Sequence, residues 1–162
     1  MISMNKILEL LEKNSTLTVA DIAVMLDKSE EEISAAIEQF KKDGIILGSK
    51  MLVNWQKTTR EYVTAFIELK VTPQFGKGFD QIAERFYQYE QVKTVYLMSG
   101  AYDIALIIEG KTLNEVALFV AEQLSPMDTV ISTATHFVLK KYKQDGVLFE
   151  QPQEDERLVM MV

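Results

Sequence analysis

The chain has no cysteine, three prolines, one histidine and one tryptophan in 162 residues. Without cysteine it can form neither a disulfide nor a thiolate metal site, so nothing points to an extracellular disulfide framework. A lone imidazole, His136, has no second ligand of its kind, and no metal site is expected. No apolar run approaches the roughly 18 residues that span a bilayer. Met1 to Lys6 leads at once into mixed charge rather than a signal-peptide core, so the expected location is cytoplasmic, away from membranes. Glycine is also sparse. There is no Gly-rich phosphate loop, no nucleophile beside an evident base and no metal-ligand spacing, so neither a catalytic residue nor a cofactor is expected. Positive charge is in short supply: 17 Lys and Arg against 24 Asp and Glu leave a net charge of −7. That balance argues against broad, nonspecific binding to nucleic acid, though a local contact made by a dimer stays open.

What is present falls into two units. Residues 1–55 read as three short helices and a small hairpin. Ile7, Leu8, Leu10 and Leu11 give the first helix an apolar face, and Asn14-Ser15 ends it. Thr18 with Asp21 opens a second helix in the manner of a capping box, and Ile22, Ala23 and Leu26 form its buried stripe. After a tight turn at Asp27-Lys28, Ser29 with Glu32 is a better box, followed by Ile33, Ala36, Ile37 and Phe40 at helical spacing. Gly44 stands where a C′ glycine belongs. Ile45 to Trp55, with Gly48-Ser49 in the middle, reads as a two-stranded wing. Helix, helix, turn, helix and wing make a winged helix-turn-helix.

Residues 56–61 are polar and read as a linker. In 62–149 the pattern changes. Tyr62 to Val71 alternates, with Val63, Ala65, Ile67, Leu69 and Val71 on one face, so it is a strand. Pro73, Gly76 and Gly78 break it, and Phe79, Ile82, Ala83 and Phe86 mark a helix. Val92 to Met98 and Asp103 to Glu109 are strands joined through Ser99-Gly100. Thr112 with Glu115 is a capping box that opens a helix with Leu113, Val116, Ala117, Val120 and Leu124 inward, stopped at Ser125-Pro126. Val130 to Tyr142 is a long last strand. The order β-α-β-β-α-β is the ferredoxin-like split unit, so the class is α+β. Both helices on one sheet face leave the other bare, with Phe66, Tyr96, Met98, Ala105 and Ile107. That face needs cover, most simply from a second copy. The tail, 150–162, is acidic and then apolar, and is either disordered or docked on a neighbour.

The candidate chemistry centres on the turn Met98-Ser-Gly-Ala-Tyr-Asp103. A carboxylate fixed at a strand start beside a glycine suits the ammonium of a small amino acid, with Gly100 letting a ligand approach the backbone. The plainer reading of Asp103 is a turn residue that satisfies nearby N–H groups. Met98 and Ser99 line the same turn, although Met98 fits a core position equally well. Thr133 and Thr135 offer hydroxyls to a ligand carboxylate, yet strand threonines are usually only good strand formers. On the third helix, Ser34, Ala35, Glu38 and Gln39 lie away from the apolar stripe and are candidate base readers. Gln39 is chemically the best of them, since it can pair with adenine. Lys41, Lys42 and Lys50, with Lys57 and Arg60 beyond, are the candidate phosphate contacts. Lys140, Lys141 and Lys143 form a basic cluster at the end of the last strand.

Together the two halves resemble the Lrp/AsnC family, the feast/famine regulators, over roughly residues 4–143. The more specific part is Met98 to Asp103, which matches the family's Gly-x-x-Asp turn, and Val130 to Leu139, which matches its threonine-bearing final strand. The resemblance implies a RAM-type second domain that dimerises and in many members assembles into octamers. It also implies a free amino acid bound near the turn between dimers, double-stranded DNA as partner, and no cofactor. One departure stands out. The family's third helix typically carries arginines, whereas here the matching stretch has Ala36 and Gln39, and its first turn bears Glu30, Glu31 and Glu32. These suit the helix dipole but repel phosphates. Two other readings therefore stay open: an amino-acid-sensing oligomer that acts through protein partners without DNA, and a small ferredoxin-like enzyme with a helical accessory domain.

Overall fold

The computed structural model describes residues 2–73 and 78–150. The chain divides into two compact units, 1–53 and 54–162. The first unit holds α1 (Ile2–Lys13), α2 (Val19–Leu26) and α3 (Glu30–Lys42). Both capping boxes close. Thr18 N–H donates to Asp21 Oδ2 at 2.8 Å and Asp21 N–H returns a bond to Thr18 Oγ1 at 3.1 Å. Ser29 and Glu32 exchange the same pair at 3.4 and 3.2 Å. Each satisfies N–H groups that a helix start leaves without partners. At the end of α3, Ile45 N–H bonds Phe40 C=O and Gly44 N–H bonds Lys41 C=O. This is a Schellman cap, and Gly44 at φ +67° supplies the left-handed residue it requires. Ile7, Ile22, Ala23, Ile33 and Phe40 form the buried centre, flanked by Leu8, Leu10, Leu11, Leu26, Ala36 and Ile37. The three helical stripes read from the sequence therefore meet in one core.

The wing does not form as read. No strand pairing occurs between Ile45 and Asn54. Ile46 turns back onto the helical core, while Leu47 and Met51 stand 92% and 78% exposed. A two-stranded ribbon without a packed face is marginal in water, and this segment has given its one anchoring side chain to the helices. The supposed linker has structure of its own. Trp55–Lys57 is a single 3₁₀ turn capped by the Asn54 side chain, and the Arg60 guanidinium lies 4.3 Å from the centre of the Trp55 ring.

The second unit is a four-stranded antiparallel sheet in the order β2-β3-β1-β4. Its strands are β1 (Val63–Val71), β2 (Val92–Leu97), β3 (Ile104–Gly110) and β4 (Val130–Phe137). Helix α4 (Asp80–Tyr87) follows β1 and α5 (Leu113–Phe119) follows β3, which is the β-α-β-β-α-β order. Ala65, Ile67, Leu69 and Val71 of β1 and Ile104, Leu106 and Ile108 of β3 pack with Ile82, Phe86, Val116, Val120 and Leu124. The last strand stops at Phe137 rather than Tyr142. A short hairpin, β5 (Lys143–Gln144) with β6 (Val147–Leu148), follows.

Two further details differ from the sequence reading. In α5 the inward stripe is Val116, Phe119, Val120 and Leu124, while Leu113 is 55% exposed and Ala117 is exposed. The large ring of Phe119, set edge-on to Tyr89 at 5.1 Å, takes the core place in preference to Ala117. The helix then widens into a π turn over Val120–Leu124. Secondly, the Thr112 box is half made: Thr112 Oγ1 accepts from Glu115 N–H at 3.1 Å, but the Glu115 carboxylate reaches Lys111 N–H at 2.8 Å instead of Thr112. Apart from Glu150, the tail 150–162 lies outside the described residues, as does the break at Gly76.

Candidate functional site

The turn between β2 and β3 brings Met98, Ser99, Gly100 and Asp103 together. Met98 N–H donates to Asp103 C=O at 2.8 Å, closing the turn. Asp103 N–H donates to Leu69 C=O at 2.9 Å, and Asp103 Oδ2 accepts from Val71 N–H at 2.9 Å. The carboxylate thus ties the start of β3 to the end of the central strand β1. This is the turn role, and it holds one carboxylate oxygen in a fixed position beside an exposed loop. Gly100 is exposed with φ +157°, and a Cβ there would meet nothing within 4 Å, so the space above it is open. Met98 is 37% exposed and is not part of the core cluster.

The two threonines are placed differently. Antiparallel partners share a sheet face. Thr133 pairs with Leu69 and Thr135 with Ile67, both buried on the helix-covered face. Thr133 Oγ1 lies 3.5 Å from Ser125 Oγ, just past the π turn. Asp103 precedes β3, and its carboxylate is turned to the Val71 N–H at the end of β1. Asp103 therefore sits in the turn before β3 at one side of β1, and the threonines on β4 at the other.

The sheet face opposite the helices is less bare than the sequence suggests. Ala105 is fully buried by its own neighbours, Tyr96 and Glu68, which pair with it from either side. Phe66 is half-buried, edge-on to Tyr102 at 6.2 Å and 6.3 Å from the His136 ring. His136 Nε2 sits 3.4 Å from Glu68 Oε1. Tyr96 remains 55% exposed. At the other end of the sheet, where Val63 pairs with Gly110, a cleft of about 350 Å³ opens between Arg60, Tyr62, Lys93, Glu109, Lys111 and Glu115. These residues come from separate stretches, so no motif announces them. Tyr62 Oη donates to Glu109 at 2.6 Å and accepts from Lys141 at 3.2 Å, so part of this charge is already neutralised within the chain. Lys140 pairs with Glu150 at 3.0 Å.

In the first unit, Ser34, Ala35, Glu38, Gln39, Lys41 and Lys42 are all exposed on α3, opposite the buried Ile33 and Phe40. Their polar groups are not idle. Gln39 Nε2 donates to Asp43 Oδ1 at 2.8 Å, and Lys41 Nζ meets Glu38 Oε1 at 2.7 Å. Lys28 pairs with Glu32 at 3.2 Å at the start of the helix. Lys41 holds the Glu38 carboxyl below the usual carboxylate range by its hydrogen bond. Lys50 is exposed on the unpaired segment after α3.

A helix-turn-helix joined to a ferredoxin-like sheet defines a class of DNA-binding regulators that carry a sensing unit. Residues 64–148 match the family model of the Lrp/AsnC ligand binding domain, and residues 4–46 match that of a winged helix-turn-helix DNA-binding domain. The HTH-type transcriptional regulator YugG of Bacillus subtilis is 44% identical over 156 residues, spanning 96% of this chain and 94% of that protein. The HTH-type regulator FL11 of Pyrococcus furiosus is 27% identical, over 86% of this chain and 89% of that one. Among solved structures, AsnC of E. coli superposes with a TM-score of 0.68 at 22% identity, covering 89% of this chain and 95% of its own. A transcriptional regulator of Neisseria meningitidis, solved as an L-Met complex, gives 0.71 at 21%, covering 94% and 96%. The chain belongs to the Lrp/AsnC family of transcriptional regulators, with a DNA-binding unit and a ligand-binding unit in one polypeptide. Among the described residues no helix is long and apolar enough to cross a membrane.

Proposed function

We propose that the second unit binds a free amino acid at the Met98–Asp103 turn and that this changes how the first unit engages double-stranded DNA in the cytoplasm. The observation that carries the reading is the fixed carboxylate of Asp103 beside the open space over Gly100. An ammonium can approach that oxyanion while the backbone around Gly100 meets the rest of the ligand. The L-Met complex of the Neisseria protein, which shares the fold, supports an amino acid as the ligand class. Thr133 and Thr135 stand on β4, across β1 from the turn, and join such a site from a neighbouring copy. A homodimer formed through the face of Phe66, Tyr96 and Ile107, with further assembly to an octamer, suits that requirement. On the DNA side, Ser34, Ala35, Glu38 and Gln39 face the bases, and Lys41, Lys42 and Lys50 face the phosphates.

A thermal-shift screen of the free amino acids against the full chain tests the ligand. A ligand present at about 100 times its dissociation constant adds about 2.7 kcal/mol to the native state. One or a few amino acids should raise the melting temperature, and the shift should shrink in Asp103→Asn. A screen in which no amino acid moves the transition would remove the sensing role from this turn.

A further inference from the structure

We infer that Glu38 and Asp43 are specificity-determining residues: each ties up a DNA-contacting side chain of α3, so that duplex of arbitrary sequence is held weakly and only matching base contacts free the pair. This rests on the reading that the exposed face of α3 meets DNA. The two pairs interleave over the C-terminal end of α3. Lys41 meets Glu38 at 2.7 Å, and the Gln39 amide donates to Asp43 at 2.8 Å. From Lys28 to Asp43 the segment has three lysines against five carboxylates, Glu30, Glu31, Glu32, Glu38 and Asp43.

Nonspecific affinity comes almost entirely from cations that displace counterions from phosphates. A lysine already neutralising a carboxylate contributes little to that term, so the Glu38 pair lowers the count of effective phosphate contacts. The Asp43 pair acts on a different quantity. Gln39 reads adenine with its amide nitrogen and oxygen together, and Asp43 holds that nitrogen turned along the helix. Exposed pairs of this kind are weak, so a correctly placed phosphate or base displaces them at small cost, whereas a mismatched one does not repay it. The acidic character of α3 therefore works as a filter within a DNA-binding helix.

The test uses the full chain and a random-sequence duplex of about 30 base pairs, followed by fluorescence anisotropy between about 50 and 200 mM salt. Glu38→Gln should tighten binding about two- to fivefold and steepen the salt slope by about 0.9, since it returns one lysine to the phosphates. Asp43→Ala, which removes the acceptor, should tighten binding by a similar factor with little change of slope, because the side chain it frees carries no charge. In the Glu38→Gln background, Lys41→Gln should cancel the gain. An equal charge change in the other unit, Glu122→Gln, should do nothing. If Glu38→Gln leaves affinity and slope at the wild-type values while Lys41→Gln weakens binding, the pairs are not a filter although α3 still meets DNA. A gain from Glu122→Gln as large as that from Glu38→Gln would overturn the inference as well, by showing an effect of net charge alone. If Lys41→Gln and Lys42→Gln both bind as wild type does, the placement of α3 on DNA is itself wrong.

Discussion

Asp103 shows how one side chain serves two ends. Its Oδ2 is bonded to Val71 N–H and its backbone to Leu69 and Met98, so removing the side chain harms the sheet as well as any ligand. Asp103→Asn keeps an acceptor for Val71 N–H and removes the charge. Calorimetry with the amino acid found by screening should show at least a tenfold loss of affinity in Asp103→Asn, since hydrogen bonds to charged groups are worth about 1.5–3 kcal/mol. The melting temperature without ligand should stay near wild type, while Asp103→Ala should lower it. Equal affinity of wild type and Asp103→Asn would assign the residue to the turn alone. Gly110 makes the second point at this scale. A Cβ there would lie 2.9 Å from Cγ2 of Val116, a buried β-branched side chain with no room to retreat. Gly110→Ala should destabilise the second unit by about 1–3 kcal/mol in denaturant titration. A neutral result would mean that α5 shifts freely over β3.

The elements of the first unit are short, and their ends carry much of their definition. Helices of 8 to 13 residues are marginal alone, so the two capping boxes matter. The hydrogen bonds from Thr18 hold the Asp21 carboxyl below its ordinary value of 3.8, and Lys28 with Ser29 holds Glu32 below 4.5. A depressed folded-state value adds stability above the unfolded value and loses it as pH falls through the folded one. The combined variant Asp21→Asn with Glu32→Gln should therefore melt below wild type at pH 7. The gap should narrow as pH drops below 4.5 and then 3.8, closing at lower pH. A gap that stayed constant down to strongly acid pH would show that the carboxylates contribute nothing as anions. Both boxes were legible from residue spacing, because a box needs only four consecutive residues. The wing was not, because a hairpin depends on a face to pack against, and Ile46 is drawn to the helices instead.

For the whole molecule the deciding surface is the sheet face opposite the helices. Tyr96 is 55% exposed there, and Phe66 and Ile107 are only partly covered by their own chain. Ile107→Asp puts a charge at the centre of that face without touching the helix-side core. Light scattering on the full chain should show a dimer or larger species for wild type and a shift toward monomer for Ile107→Asp. A wild-type monomer at micromolar concentration, or an unchanged assembly in the variant, would remove this face as the interface.

The sequence by itself determined where the helices of the first unit start, most of the side chains that form both cores, the order of elements in the four-stranded sheet unit, and the family. Those features rest on local hydrogen bonding and on periodicities of 3.6 and 2, which neighbouring residues carry among themselves. Tertiary structure decided what depends on distant partners. It put Phe119 rather than Leu113 and Ala117 in the core, ended the last strand at Phe137, and sent Thr133 and Thr135 to the helix-covered face of the sheet. It also closed Glu38 on Lys41 and Asp43 on Gln39, turning the acidity of α3 from a plain charge count into specific pairs. Face and pairing are set by register across the sheet and by which side chain wins a shared volume, and neither quantity is written in any short stretch of residues.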